Sequence, residues 1–213
     1  RAAFNVQRSS SNNITNSTIS GGAGVALDMN LHATASSSNR YTGNVISSTS
    51  GNAVTASVAA GINSVFANNT ISSSSGYAIL LTNFNNTFAN NTISTATSTI
   101  VANVSTSNNV FYNNTFASTG GAGGLVNVHD RAGNNTFYWN NFTSTSGYYV
   151  NDTNEGAARL TFTTVALDAG QVLSVQVLSV QVDPAAWRCR SGGGWRVNLP
   201  ERRVSARGGG ESR

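Results

Sequence analysis

Carboxyl groups that could work as a catalytic pair are scarce in this chain. Hydrolysis of a glycosidic bond needs two carboxyl groups that flank the bond. Six acidic residues occur before the C-terminal tail and are mostly isolated: Asp28, Asp130, Asp152, Glu155, Asp168 and Asp183. The one local concentration of ionisable groups is His129-Asp130-Arg131. This triplet could bind a ligand, but a solvated turn is the favoured interpretation, because such residues are common in loops.

Three aromatic residues form a second candidate site. Tyr112 follows Phe111, and Tyr138 follows Phe137 with Trp139 directly after it. If each Phe points into a core, the next residue of the strand points outward. An exposed aromatic ring offers apolar area with a polar tip, so Tyr112, Tyr138 and Trp139 could stack against sugar rings. The alternative is that the segment 159–182 folds back and buries them.

A sequence repeat must position these residues. Two large apolar residues recur five positions apart in six copies, as Ile14/Ile19, Tyr41/Ile46, Phe66/Ile71, Phe88/Ile93, Phe111/Phe116 and Phe137/Phe142. Successive copies are 27, 25, 22, 23 and 26 residues apart. A third apolar cluster lies about eight residues after each second member. Such a period indicates a solenoid, with three short strands in each coil.

The composition excludes a helical reading. Asn, Ser, Thr and Gly dominate, and all four are poor helix formers or favour turns. No window shows the apolar spacing of a helix face. We therefore predict an all-β fold, a single-stranded parallel β-helix of about six coils.

A column of asparagines is expected at one corner. Each lies two residues before a second apolar position, and the column comprises Asn44, Asn69, Asn91, Asn114 and Asn140. Stacked coils would place them in a hydrogen-bonded ladder, as in other stacked strands. Asn also tolerates left-handed backbone angles, which suits a corner. Ser17 occupies the position in the first copy and should be a weaker member.

The pattern N-N-T-F-A-N-N-T-I-S, at residues 85–94, resembles right-handed parallel β-helix repeats of the pectin-lyase-like superfamily. It is most similar to NosD-like repeats of bacterial periplasmic and archaeal surface proteins. The resemblance covers about residues 10–156. It implies the fold and an exported location, extracellular, cell-surface or periplasmic, although no signal sequence is present at Arg1. A repeat of this kind is a scaffold and by itself specifies no activity.

A metal site is not expected. His32 and His129 each lie 18 residues after a leading apolar residue, at corresponding corners. Four coils at about 4.8 Å would separate them by about 19 Å, too far for one ion. Copper delivery, which the NosD resemblance suggests, would need His, Cys and Met. The chain before the C-terminal tail contains two His, Met29 and no Cys, so we predict no bound metal and no cofactor.

The number and distribution of charged residues limit which partners the chain can bind. Only 9% of residues are charged, and Lys is absent. Residues 1–187 contain five Arg and six acidic residues, whereas residues 188–213 contain seven Arg and two Glu. Residues 1–187 therefore lack the basic surface that nucleic-acid binding needs. No apolar run is long enough to span a membrane. Oligomeric state is left open.

The domain prediction has three parts. Residues 1–158 are assigned to the β-helix, 159–183 to β-prone cap strands, and 184–213 to a basic, Gly/Arg-rich disordered tail. The tail loses the Asn/Thr signature so abruptly that a misread gene end is a further hypothesis.

The leading prediction is an exported, non-catalytic scaffold that is structural or contacts polysaccharide or cell-surface glycans. The alternative is a lyase or hydrolase of the pectin-lyase-like type, or a fragment of one. A Ser/Thr ladder at a corner could bind ice, but coil lengths of 22 to 27 residues argue against the flat lattice this requires.

Overall fold

The computed structural model describes residues 1–29, 37–57, 62–97, 100–120, 125–129 and 132–144, together with the strands that follow them. The strands are β1 (Phe4–Asn5), β2 (Asn13–Thr15), β3 (Thr18–Ser20), β4 (Leu27–Met29), β5 (Arg40–Thr42), β6 (Val45–Ser48), β7 (Val54–Ala56), β8 (Val65–Ala67), β9 (Thr70–Ser73), β10 (Ile79–Leu81), β11 (Thr87–Ala89), β12 (Thr92–Thr95), β13 (Ala102–Val104), β14 (Val110–Tyr112), β15 (Thr115–Ser118), β16 (Val126–Val128), β17 (Thr136–Tyr138), β18 (Asn140–Ser144), β19 (Tyr148–Asp152), β20 (Thr161–Phe162), β21 (Val165–Leu167), β22 (Gln171–Leu173) and β23 (Arg188–Arg190). Among these residues no helix is long and apolar enough to cross a membrane.

The strands form three sheets that share the coils. The first sheet has the order β1-β4-β7-β10-β13-β16-β19-β23, the second β2-β5-β8-β11-β14-β17-β20, and the third β3-β6-β9-β12-β15-β18-β21-β22. From β1 to β21 every pairing is parallel, and each strand pairs with its counterpart one coil away. This confirms the predicted all-β parallel solenoid.

Stacked side chains fill the interior. The second sheet contributes an aromatic column of Tyr41, Phe66, Phe88, Phe111 and Phe137, with ring centroids 4.6 to 5.0 Å apart and nearly parallel planes. Ile and Phe side chains of the third sheet and Leu, Val and Ile side chains of the first sheet complete the core. A strand of three or four residues has only one or two inward side chains, so each coil is stable only between its neighbours.

The corner between the second and third sheets is the same in every coil, because five residues separate equivalent strand positions. One residue at this corner has a positive φ, and the six are Asn16, Gly43, Asn68, Asn90, Asn113 and Trp139. The next residue belongs to the predicted asparagine column. The prediction therefore erred by one position: the left-handed residue precedes the ladder residue and points to solvent.

The column itself is a continuous hydrogen-bonded ladder. The Oδ1 of Asn91 accepts from the backbone N and the Nδ2 of Asn69, at 2.8 and 3.0 Å. Its Nδ2 donates to the Oδ1 of Asn114 at 2.9 Å and to the carbonyl of Phe66 at 3.0 Å. Each buried side-chain amide thus accepts hydrogen bonds through its oxygen and donates them through its nitrogen. At Ser17 only the backbone N joins the ladder, through the Oδ1 of Asn44.

A second ladder lies at the corner that leads into the second sheet, two residues before each leading apolar position. It runs through Asn12, Asn39, Asn86, Asn109 and Asn135, with Ser64 in one coil. The preceding residue again has a positive φ in each of these coils. This ladder was not predicted from the sequence, although its offset from the apolar residue is the same as that of the first.

The strands after residue 158 change their pairing. β20 and β21 continue the parallel ladders on β17 and β18. β22 then pairs antiparallel with β21, and β23 antiparallel with β19. The predicted cap segment 159–183 contains the first three of these strands. The predicted tail 184–213 lies outside the described residues except at Arg188–Arg190, so its disorder and the domain limits stay predictions.

Candidate functional site

Alternation along two strands positions the tyrosines. In β14 and β17 the central Phe111 and Phe137 are buried, whereas Tyr112 and Tyr138 point outward and are half-buried. The two tyrosines are register partners. Their ring centroids are 5.1 Å apart, with 6° between the planes. The stack is therefore set by backbone pairing and requires no loop to hold it.

The same outward position is small or polar in the preceding coils. Backbone register runs from Thr15 through Thr42, Ala67 and Ala89 to Tyr112. Aromatic side chains thus begin only at β14. Since the fold is the same in all these coils, their placement is not a requirement of the fold.

Trp139 completes the candidate site, which we call the aromatic patch (Tyr112, Tyr138 and Trp139). Trp139 has φ +54° at the corner where other coils have Asn or Gly. A bulky residue is a true outlier in this conformation. Its side chain is 62% exposed, and its ring meets that of Tyr138 edge to face, with centroids 5.1 Å apart at 75°. The residue that suits this backbone least is also the most exposed large apolar residue among those described.

The electrostatics of the patch favour neutral hydroxyls. Removal from water raises the pKa of Tyr138 above its ordinary value, and the neighbouring Tyr112 raises it further. The phenol of Tyr138 is therefore protonated at physiological pH and can donate a hydrogen bond. The chemistry that such a patch offers is stacking with polar tips, which suits an uncharged ring that carries hydroxyl groups.

The second predicted cluster is only partly described. His129 follows β16 in the first sheet and is half-buried, with its Nε2 3.0 Å from the Nδ2 of Asn127. Asp130, Arg131 and His32 lie outside the described residues. Within the described part no hydrogen bond or ring contact joins His129 to the aromatic patch, which belongs to the second sheet. Nor do the described side chains include three or more His, Cys, Asp or Glu grouped to hold a metal ion.

Comparison with known proteins gives one match. The family model described as periplasmic copper-binding protein (NosD) matches residues 1–166, most of the 213-residue chain. The searches of curated proteins and of solved structures find no match.

Proposed function

Since the chain belongs to the NosD family of periplasmic β-helix proteins, we propose that it is an exported, non-catalytic scaffold that contacts carbohydrate through the aromatic patch. The description of the family as periplasmic supports a location outside the cytoplasm, and envelope or surface glycans are the polymers that the patch would contact there. The β-helix supplies a rigid support, and the patch supplies the contact.

Trp139 is the observation that carries the proposal. An αL conformation costs a non-glycine residue of order 1–3 kcal/mol, and such strain concentrates at functional sites. Asn or Gly would relieve it, as at the other five equivalent corners. Trp139 also leaves most of its ring in water. Within the described residues, the edge-to-face contact with Tyr138 is the one ring contact of Trp139, and a ligand that covers the exposed ring supplies a further reason for Trp at this position.

Carbohydrate is the ligand class that fits the surroundings best. Sugar rings present apolar C–H faces and peripheral hydroxyl groups, which match aromatic faces and polar tips. Next to the patch the exposed corner carries amides, and the Nδ2 of Asn113 donates to the Oδ1 of Asn90 at 2.6 Å. Nearby amides can bind sugar hydroxyls without any charge.

The non-catalytic part of the proposal is supported by the residue types at the patch. Glycoside hydrolysis needs two carboxyl groups on either side of the bond. The aromatic patch consists of two phenols and an indole. Asp28 on β4 and Asp152 on β19 both belong to the first sheet, whereas the patch belongs to the second.

The copper in the family's description does not fit the described residues. Copper sites draw on His, Cys and Met. Met29 is fully buried in the core at the end of β4, and His129 follows β16. These two strands are four steps apart in the first sheet, about 19 Å at about 4.8 Å per step. Cys189 lies in β23, two strands beyond β16 in the same sheet, and its side chain is outside the described part. The proposed function therefore includes no copper site.

Retention on insoluble polysaccharides tests the proposal. The full chain is incubated with chitin, cellulose, xylan and peptidoglycan, and bound protein and released sugar are both measured. We expect retention on at least one polymer without sugar release, and its loss in Tyr112→Ala/Tyr138→Ala. Thr15→Ala is the matched control, because it changes the same outward position in the first coil.

Two results would contradict this function. Retention that survives in the double variant would remove the aromatic patch as the site. Release of sugar by the wild-type protein would show catalysis and direct attention to His129, Asp130 and Arg131.

A further inference from the structure

The outer face of the third sheet carries a regular array of hydroxyl groups, which we call the hydroxyl face. It has two columns of outward side chains. The first column is Thr18, Val45, Thr70, Thr92, Thr115 and Asn141, and the second is Ser20, Ser47, Ser72, Ser94, Ala117 and Thr143. Nine of these twelve positions carry a hydroxyl group, and none is charged.

Backbone pairing makes the array periodic in two directions. The six strands pair in parallel without a register shift from Thr18 to Thr143. Hydroxyl groups therefore repeat about every 4.8 Å from strand to strand and about every 6.7 Å between residues i and i+2. Ring centroids in the core, 4.6 to 5.2 Å apart, give the same rise per coil.

Variation in coil length does not disturb this face. The chain lengths that differ from coil to coil are those between the third-sheet and first-sheet strands and those between the first-sheet and second-sheet strands. The step from the second to the third sheet is always five residues, as from Thr87 to Thr92 and from Val110 to Thr115. The objection that unequal repeats preclude a flat lattice therefore does not apply to the third sheet.

The hydroxyl groups are available and preset. Thr70 and Thr92 are exposed, and Ser72 and Ser94 are half-buried. Within the described residues, none of the nine hydroxyls hydrogen-bonds another protein group. Five of the nine hydroxyls belong to threonine, which is stiff at χ1, so the sheet restricts where those five hydroxyl and methyl groups point. Val45, 44% exposed, has the shape of threonine and keeps the surface even.

We propose that the hydroxyl face binds the surface of ice. Water oxygens in hexagonal ice form flat rows whose repeats lie close to the two spacings of this face. Each hydroxyl can donate to and accept from one lattice water, and water-mediated bonds are nearly as favourable as direct ones. The methyl groups between them offer water no competing partner. A neutral face complements this lattice, whereas a charge would orient water around itself.

The other outer faces serve as internal comparisons. The outward column of the first sheet reads Asp28, Thr55, Leu80, Asn103 and Asn127, which has no chemical period. The second sheet carries Arg40 and the aromatic patch. The inference concerns a different sheet from the proposed function, so either can fail without the other.

Incorporation into a slowly grown ice hemisphere, with crystal shape and recrystallisation rate recorded in parallel, tests the inference. We expect the full chain to enter the ice, to shape crystals and to slow recrystallisation. Thr92→Lys should lose all three effects, because its long cationic side chain interrupts the centre of the array. Thr87→Lys in the same coil, on the second sheet, should keep them, and Thr92→Val should keep most of them.

Three outcomes would overturn the inference. The first is exclusion of the folded wild-type chain from ice. The second is an equal loss in Thr92→Lys and Thr87→Lys while both keep the wild-type circular dichroism. The third is retention on crystalline cellulose or chitin that Thr92→Lys abolishes, without any effect on ice, which would assign the face to a carbohydrate lattice.

Discussion

The inward and outward columns of the second sheet follow different rules although they alternate along the same strands. The inward column is a large ring in five successive coils, from Tyr41 to Phe137. The outward column is Thr42, Ala67 and Ala89, and then Tyr112 and Tyr138. Burial dictates the inward residue, because a stack without a gap is the only way to fill the coil. The outward position accepts Thr, Ala and Tyr, although Ala67 and Ala89 are themselves buried, so the change to Tyr at β14 points to the surface and what it contacts.

Truncation of an inward ring should have the largest effect. Phe88→Ala removes a fully buried side chain that is stacked on both faces, and core Phe→Ala changes cost about 4 kcal/mol. Tyr112→Ala should lower the free energy of unfolding by about 1 kcal/mol, the scale of one aromatic pair. Urea unfolding of both variants checks the difference. Equal losses would mean that the outward stack is part of the core.

Alanine substitutions of two adjacent asparagines should differ almost as much in the stability that they cost. Asn91→Ala leaves buried groups of Asn69 and Phe66 without their hydrogen bonds, and we expect a loss of about 3 kcal/mol. Asn90→Ala keeps the ladder and places alanine in a left-handed conformation, which costs about 1 kcal/mol. Melting temperatures of the two variants give the comparison. A larger loss for Asn90→Ala would contradict the structural role of the ladder.

Replacing Tyr41, the tyrosine of the inward column of the second sheet, by phenylalanine should stabilise the protein. Among the described residues, the hydroxyl of Tyr41 is buried and has no hydrogen-bond partner. Tyr41→Phe continues the Phe column and removes that group, for a gain of about 1 kcal/mol. Urea midpoints at neutral pH measure it. A loss of stability would indicate a partner for this hydroxyl.

The same residue predicts a pH dependence. Burial raises the pKa of Tyr41 far above its ordinary value of about 10. Between the two values the folded chain binds more protons than the unfolded chain, so stability falls as pH rises. The contribution of Tyr41 to the free energy of unfolding should be constant below about pH 9 and decline above about pH 10. Tyr41→Phe should flatten this decline in urea titrations, and an unchanged slope would assign the decline to other groups.

A change in stability as small as that of Tyr41→Phe is expected at the strained corner. Trp139→Asn restores the residue type of the other coils and should raise the free energy of unfolding by about 1 kcal/mol. Asn113→Trp, one coil away, is the matched reverse change and should lower it by a similar amount. If Trp139→Asn proves destabilising, packing of the indole on Tyr138 outweighs the backbone strain.

The fold was predictable because its signal is repeated and local. The five-residue step between large apolar residues and the Asn two residues before the second of them recur in five or six copies. A one-residue shift of register would turn Phe88 or Ile93 to the solvent face. The second ladder was predictable by the same offset, since Asn86 and Asn109 also lie two residues before an apolar position.

The backbone angle of Trp139 was not predictable from its residue type. Trp has no preference for the left-handed region, and only the stacking of a sixth coil on five others imposes the corner geometry. When the repeats are aligned, Trp139 occupies the position of Asn113. This substitution is the sequence feature that indicates an unusual residue at the corner. The regularity of the hydroxyl face is hidden in the sequence for a different reason. Unequal coil lengths suggest an irregular surface, whereas the structure keeps the third sheet regular and the lengths vary elsewhere in the coil.

Retention on insoluble polysaccharides, with wild type and Trp139→Asn compared in parallel, tests whether the outward aromatics serve binding. We expect wild type to be held by at least one of chitin, cellulose, xylan or peptidoglycan, and the better folded Trp139→Asn to be released. Equal retention of the two proteins, or retention of neither, would mean that the aromatic patch is not a polysaccharide site.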